Sequence, residues 1–212
     1  MGLIINPYRF DSPIVFVEDD MSSDNYTMTT SRVFIGSGVF NFSTSNSDDR
    51  GYRTIVNIGN TDFQIDWTEK IVTQPSGAAG HVWNPMVICQ DNTRSYANDT
   101  NDAYSARTIT KSGGDAVISP QQRIDGNMVE GSQSSSTLTQ GSTYYMRLSL
   151  VSGTLRQEAF SDSDRTTSVA FDTITATAIS NLVNCQTGSQ TTSSVLNAGT
   201  ITDLIGTTVW FN

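Results

Sequence analysis

The sequence has few residues of the types that carry out hydrolysis. It contains four glutamates, at Glu18, Glu69, Glu130 and Glu158, and a single histidine, His81. A retaining glycosidase needs two carboxylates about 5 Å apart, one acting as nucleophile and the other as general acid. No glutamate here has the partner spacing that this arrangement requires, and one histidine cannot build a multi-histidine metal site. The sequence therefore predicts no catalytic residues.

Aspartates in the polar segments are the candidates for a metal ion. Calcium prefers oxygen ligands, and Asp162 with Asp164 offers two carboxylates close together. No complete calcium-loop motif surrounds them, and aspartate also favours turns by capping its own backbone. The two residues remain weak calcium candidates, with a purely structural turn as the alternative, and no other cofactor is predicted.

Three aromatic residues are candidates for contact with a glycan. Sugar sites combine apolar and aromatic surface with a few polar groups that take the hydroxyls. Trp83, Tyr96 and Tyr104 lie in or next to long polar segments. The alternative for each ring is a partly buried structural role.

Charge excludes two classes of partner. The net charge is −9, and Lys70 and Lys111 are the only lysines. Nucleic-acid binding depends on clustered basic residues, so no nucleic-acid partner is predicted. Anionic membranes are disfavoured for the same reason, and the longest apolar run, IVFV at 14–17, is far too short to span a bilayer. The N-terminus has no secretory signal pattern, so we expect synthesis in a cytoplasm.

The elements that must position these residues are β-strands. The stretch YYMRLSLV, residues 144–151, alternates apolar and polar side chains with the period of two that is typical of a strand. Ser152 and Gly153 supply a tight turn, since glycine reaches positive φ without a steric penalty. The return leg from Thr154 to Phe160 completes a predicted β-hairpin.

The remaining sequence repeats strand signals every 8 to 15 residues and shows little helical periodicity. Phe63, Ile65 and Trp67 share one face of a further strand, and residues 91–106 read as a long polar loop. A length of 212 residues suits one all-β domain. We therefore predict an antiparallel β-sandwich over residues 13–212.

Residues 1–12 stand apart from this pattern. They contain a proline, two aromatic rings and an arginine, which are types that anchor interfaces, and they show no period. We interpret the segment as an N-terminal docking arm, with packing onto its own domain as the alternative. The predicted attachment residues are Asn6, Pro7, Tyr8, Arg9 and Phe10.

Two cysteines, Cys89 and Cys185, lie in or beside predicted strands. Synthesis in a reducing cytoplasm favours two buried free thiols. A disulfide between them is the alternative.

Several segments, taken in order, resemble the concanavalin A-like (laminin-G-like) jelly-roll domains of phage and marine-virus structural proteins. The segment GSTYYMRLSLVSGTLRQEAFSDSDRTTSV is similar to a strand, hairpin and turn of those domains. The opening VFVEDDMSSDNYTMTTSRVFIGSGVFNFST, the central DFQIDWTEKIVT and the closing GTITDLIGTTVW resemble their first, middle and last strands, and INPYRF resembles the N-termini of phage virion proteins. The resemblance implies a sandwich of 12 to 14 strands whose last strand lies beside the first, and a virion context.

These observations lead to two functional hypotheses. The first is a non-enzymatic virion structural protein, such as a capsid decoration (cement) protein, a knob or a tail-fibre component, that docks on other virion proteins through its arm and sheet edges. Repeated lattice sites also favour homo-oligomers. The alternative is a carbohydrate-binding adhesin module that recognises host-surface glycans through the loops at 91–106 and 161–166.

Overall fold

The computed structural model describes residues 15–19, 26–28, 33–36, 39–44, 50–59, 62–73, 82–91, 102–111, 114–190 and 197–208. The predicted docking arm at residues 1–12, with its five attachment residues, lies outside this described part, as do His81 and Tyr96.

The described residues form fifteen strands and no helix, which confirms the predicted all-β class. The strands are β1 (Val15–Asp19), β2 (Thr27–Met28), β3 (Val33–Gly36), β4 (Val39–Thr44), β5 (Arg50–Thr54), β6 (Phe63–Thr73), β7 (Val82–Cys89), β8 (Ala103–Thr110), β9 (Ala116–Ile124), β10 (Asn127–Glu130), β11 (Thr143–Val151), β12 (Thr154–Phe160), β13 (Ser168–Thr175), β14 (Asn184–Gln190) and β15 (Asn197–Thr208). The resemblance implied 12 to 14 strands, and the fifteen strands of the described part exceed the upper end of that range by one. Within it, no helix is long and apolar enough to cross a membrane.

The strands form two antiparallel sheets. The eight-stranded sheet runs β13-β12-β11-β6-β15-β4-β3, with β1 also paired to β15, and the seven-stranded sheet runs β10-β9-β8-β7-β14-β5-β2. The last strand therefore lies beside the first, as the resemblance implied. Both sheets also pair strands that lie far apart in the chain, such as β6 with β15 and β7 with β14.

The core lies between the two sheets. Phe63, Ile65 and Trp67 of β6 are fully buried on one face, as predicted. Tyr104 from the opposite sheet meets Phe63, and the centroids of the two rings are 5.6 Å apart. Each large apolar side chain buried in this way contributes about 1.5–3 kcal/mol to folding.

The hairpin of β11 and β12 has the predicted turn. Val151 pairs with Thr154, and Ser152 and Gly153 between them have φ angles of 48° and 76°. Positive φ at both turn residues matches the right-handed twist of the two strands. Met146 and the other apolar residues of its face point into the core, so the alternating pattern correctly assigned the two faces.

The long polar segment ends earlier than predicted. Strand β8 begins at Ala103, so residues 103–106 belong to a strand and not to the expected loop at 91–106. All eight residues of β8 are buried, so both faces of the strand are covered. Such a strand lacks the alternation by which a half-exposed strand is recognised.

Candidate functional site

The two described aromatic candidates for glycan contact lie in the core. Trp83 and Tyr104 are 2% and 0% exposed, so neither ring has a face free for a sugar, and the structure corrects the expectation for both. The Tyr104 hydroxyl donates to the Thr177 carbonyl at 2.7 Å and accepts the Ile179 N–H at 3.1 Å. Burial raises the pKa of Tyr104 to about 12. Its hydroxyl therefore anchors the segment after β13.

Asp162 organises the turn that follows the hairpin. Its carboxylate accepts the backbone N–H groups of Thr166 and Thr167, at 3.0 Å and 2.7 Å, and the Thr166 hydroxyl at 3.0 Å. These hydrogen bonds, led by the one from the Thr166 backbone, lower the pKa of Asp162 to about 2. Asp164 is exposed in the same turn. Calcium at Asp162 and Asp164 stays a prediction.

The outward side of the eight-stranded sheet carries a row of interacting side chains. The strand register places Asp66 of β6 opposite Arg147 of β11, Arg147 opposite Glu158 of β12, and Glu158 opposite Phe171 of β13. Directly opposed residues share a face and lie close enough to interact. We call these four residues the cross-strand row.

Ion pairs fix the charged members of the row. Arg147 donates two hydrogen bonds to the Asp66 carboxylate, from Nε at 2.7 Å and from Nη2 at 2.9 Å. Arg156 binds Glu158 in the same bidentate manner, at 2.9 Å and 2.6 Å. Burial alone would raise the pKa of Glu158, but the hydrogen bonds from Arg156 and Ser168 hold it below its usual value. The two bidentate pairs therefore fix the orientation of both carboxylates.

Arginines also stack on the aromatic rings of this face. The Arg156 guanidinium carbon lies 4.1 Å from the centroid of the Phe171 ring, and that of Arg147 lies 5.5 Å from the Phe160 ring. A planar guanidinium is attracted to the electron-rich face of a ring, and the contact restricts both groups. The Phe171 side chain remains 52% exposed. The result is a preorganised surface whose accessible parts are the Phe171 ring and the partly exposed guanidinium groups of Arg147 and Arg156.

Arg165 ties the turn after the hairpin to the same face. Its Nε lies 3.7 Å from the Asp66 carboxylate, and its Nη2 donates to the Trp67 carbonyl at 3.3 Å. Its guanidinium also lies over the ring of Tyr145, 5.9 Å from the centroid. The turn at 161–167 therefore holds one end of the surface in place.

The outward side of the seven-stranded sheet carries a different polar network. Arg107 forms an ion pair with Glu130 at 2.7 Å and donates to the Ser119 hydroxyl at 3.0 Å. Gln121 also donates to Glu130. Arg107, Ser119 and Gln121 are nearly inaccessible to solvent. This network stabilises β8, β9 and β10 but offers no open face to a ligand.

Glu69 is a buried carboxyl group between the sheets. It accepts hydrogen bonds from the Trp67 indole at 3.1 Å and from the Thr108 hydroxyl at 3.2 Å. Burial raises the pKa of Glu69 to about 7. A cavity of about 10 Å³ beside it, roughly the size of one water molecule, is lined by residues that include Leu138 and Tyr144. The cavity is far too small for a sugar substrate.

Three of the described glutamates are already engaged within the fold. Glu69 is enclosed in the core, Glu130 pairs with Arg107, and Glu158 pairs with Arg156. Within the described residues, no group of three or more histidine, cysteine or acidic residues could hold a metal ion.

The residues that the sequence predicted for glycan contact include no member of the cross-strand row. The hairpin pattern did place Arg147 on the outward face of β11, but its ion-pair partner Asp66 comes from β6 and Phe171, at the far end of the row, comes from β13. Asp66 is 81 residues away from Arg147 along the chain. The row could not be predicted because it depends on the order of the strands in the sheet, and a local sequence pattern does not specify that order.

The fold is a concanavalin A-like jelly roll. The CBM2 module of the evolved Dit of Lactobacillus casei BL23 phage J-1 is similar, with a TM-score of 0.63 at 10% identity, covering 94% of this chain and 98% of that one. The Ca²⁺-bound exoplasmic/lumenal domain of VIP36 gives a TM-score of 0.61 at 9% identity, covering 93% and 91%. The lectin UEA-II, complexed with galactose, gives 0.57 at 10% identity, covering 94% and 99%.

These likenesses define the fold alone, because the identities are low. No family model matches the chain, and no curated protein matches it. The site must therefore be interpreted from its own residues.

Proposed function

We propose that the chain is a non-enzymatic structural component of a phage virion, of the capsid-decoration, knob or tail-fibre type. The observation that carries the proposal is the cross-strand row, which gives a rigid sandwich one preorganised recognition face. Glu69 is enclosed in the core, and Asp66, Glu130 and Glu158 are held in ion pairs, an arrangement that supports binding more than hydrolysis. The virion context rests on the sequence resemblance and is supported by the likeness to a phage Dit module.

Attachment to other virion proteins is assigned to the arm residues 6–10 and to the sheet edges. Edge strands present backbone groups that can pair with another chain. Many identical lattice sites also favour self-association of the attached copies.

Mass spectrometry of purified, dissociated particles tests this function. We expect the chain to be present, at many copies for a decoration protein and at few copies for a tail or fibre component. A chain lacking residues 2–12 should fold with an unchanged melting temperature and fail to join particles. Absence of the intact chain from particles overturns the proposal, and normal incorporation of the truncated chain removes the role of the arm.

A carbohydrate-binding adhesin module is the second candidate. It is favoured by the half-exposed Phe171 ring beside the ion-paired Arg156 and Glu158, since sugar sites combine aromatic surface with a few oriented polar groups. Similar folds include a phage CBM2 module and the carbohydrate-binding module CBM66 from Bacillus subtilis, the latter with a TM-score of 0.54 at 8% identity. Sugar binding by the isolated chain, free of any particle, supports this candidate.

A further inference from the structure

The cross-strand row differs from the other exposed apolar sites. Phe171 is the one aromatic residue among the exposed large hydrophobic side chains of the described chain. The hydroxyl-bearing side chains of Thr173 and Ser149 lie on the same face, next to the row in the register. A stable protein interface usually has a larger apolar centre, so a single ring among polar groups fits a smaller, hydroxyl-rich ligand better.

The row is also long. Neighbouring strands of a sheet are about 4.8 Å apart, so the four opposed residues from Asp66 to Phe171 span about 14 Å across β6, β11, β12 and β13. This length suits several linked sugar rings more than one. The aromatic ring lies at one end and the Arg147–Asp66 pair at the other.

The charges of the row are balanced once the adjacent Arg156 is included. Arg147 is paired with Asp66, and Arg156 is paired with Glu158. A charged ligand would have to compete with these pairs, whereas the guanidinium N–H groups of Arg147 and Arg156 that the pairs do not use lie on partly exposed side chains and can donate to hydroxyls. The chain as a whole carries a net charge of −9, which disfavours anionic ligands further.

We propose that the cross-strand row is a binding site for an uncharged oligosaccharide. One sugar ring packs on Phe171, and the hydroxyls of the following rings accept hydrogen bonds from Arg156 and Arg147, which Glu158 and Asp66 hold in place. The proposal rests on the second candidate function and places its site on the outer face of the eight-stranded sheet, away from the residues first expected to contact glycan.

An array of soluble neutral and acidic oligosaccharides, probed with the full chain, supplies the ligand for the test. Titration calorimetry then compares the chain with Phe171→Leu, which keeps an apolar side chain but removes the ring. Phe171→Ala is a second variant, and Val56→Ala is the control, since Val56 is 56% exposed and lies outside the row. Unchanged melting temperatures show that each variant is folded.

We expect a neutral oligosaccharide to bind, with affinity reduced about tenfold by either Phe171 substitution and unchanged by Val56→Ala. Binding of acidic sugars only, equal binding by all variants, or no binding overturns the site. Loss of particle incorporation in Phe171→Leu without any sugar binding identifies a protein-docking face and also overturns it. A chain found in particles that binds no sugar removes this inference and leaves the virion function standing.

Discussion

The side-chain amide of Gln157 makes two backbone hydrogen bonds to Arg107 on the opposite sheet. The Arg107 N–H donates to Gln157 Oε1 at 3.0 Å, and Gln157 Nε2 donates to the Arg107 carbonyl at 3.1 Å. In the strand next to Arg107 the register shifts between Trp83 and Met86, where Pro85 has no N–H to offer. The side chain of Gln157 thus replaces backbone hydrogen bonds that are interrupted between β7 and β8, and it joins the two sheets.

Replacing this glutamine tests its role. Gln157→Leu fills a similar volume but leaves two buried backbone groups without these partners, at about 1–3 kcal/mol each. We expect the free energy of unfolding, measured in urea, to fall by about 3 kcal/mol. Gln64→Leu, on the outward face of β6, is the control and should cost less than about 1 kcal/mol. Equal effects of the two substitutions would show that the amide bridge is not needed.

Glu69 predicts an unusual dependence of stability on pH. Its pKa is raised from 4.5 to about 7 in the folded state, so the folded chain holds this proton more tightly than the unfolded chain does. Its contribution is fully present below pH 4.5 and is lost as the pH rises through 7. The loss is about 3 kcal/mol in total.

Urea unfolding at about pH 5 and about pH 8 measures this loss. In Glu69→Gln the side chain no longer titrates, so the decrease in stability between the two pH values should disappear. Glu158→Gln is the matched control, since the pKa of Glu158 is lowered and it titrates below this window. A decrease that persists in Glu69→Gln would assign the pH dependence to another group.

Asp162 predicts a loss of stability in acid. Its pKa is lowered to about 2, so the hydrogen bonds to its carboxylate are complete above its ordinary value of 3.8 and are lost as the pH falls towards 2. Asp162→Ala should lower the melting temperature at neutral pH and weaken its decrease in acid. Asp164→Ala, in the same turn but exposed, should leave both unchanged. A similar effect of both substitutions would contradict the capping role.

The same two variants test the calcium prediction. A rise in melting temperature on addition of CaCl₂, reversed by a chelator and lost in Asp164→Ala, would support an ion at this turn. If CaCl₂ changes the melting temperature of neither the unmodified chain nor the two variants, the calcium prediction is wrong.

Features of the fold that depend on neighbouring residues could be predicted from the sequence, whereas features that depend on contacts between distant parts of the chain could not. The hairpin at 144–160 was predicted with both faces and its turn, because alternation and turn chemistry are local. Tyr104 was misplaced, because a strand covered on both faces has no alternation to reveal it. The pairing of Asp66 with Arg147 depends on β6 lying beside β11, and this strand order is set by packing of the whole sandwich.

The register between β7 and β14 determines whether Cys89 and Cys185 can form a disulfide. Cys89 pairs with Asn184 across β7 and β14, so Cys185 is one position from a direct pair with Cys89. Successive residues of a strand point to opposite faces, and the structure holds both thiols buried with no disulfide between them. We expect native protein to react slowly with a thiol reagent and to release two thiols on unfolding in urea. The melting temperature should not change with reductant. Fewer than two thiols in the unfolded chain, with a melting temperature lowered by reductant, would indicate a disulfide and a different register for these strands.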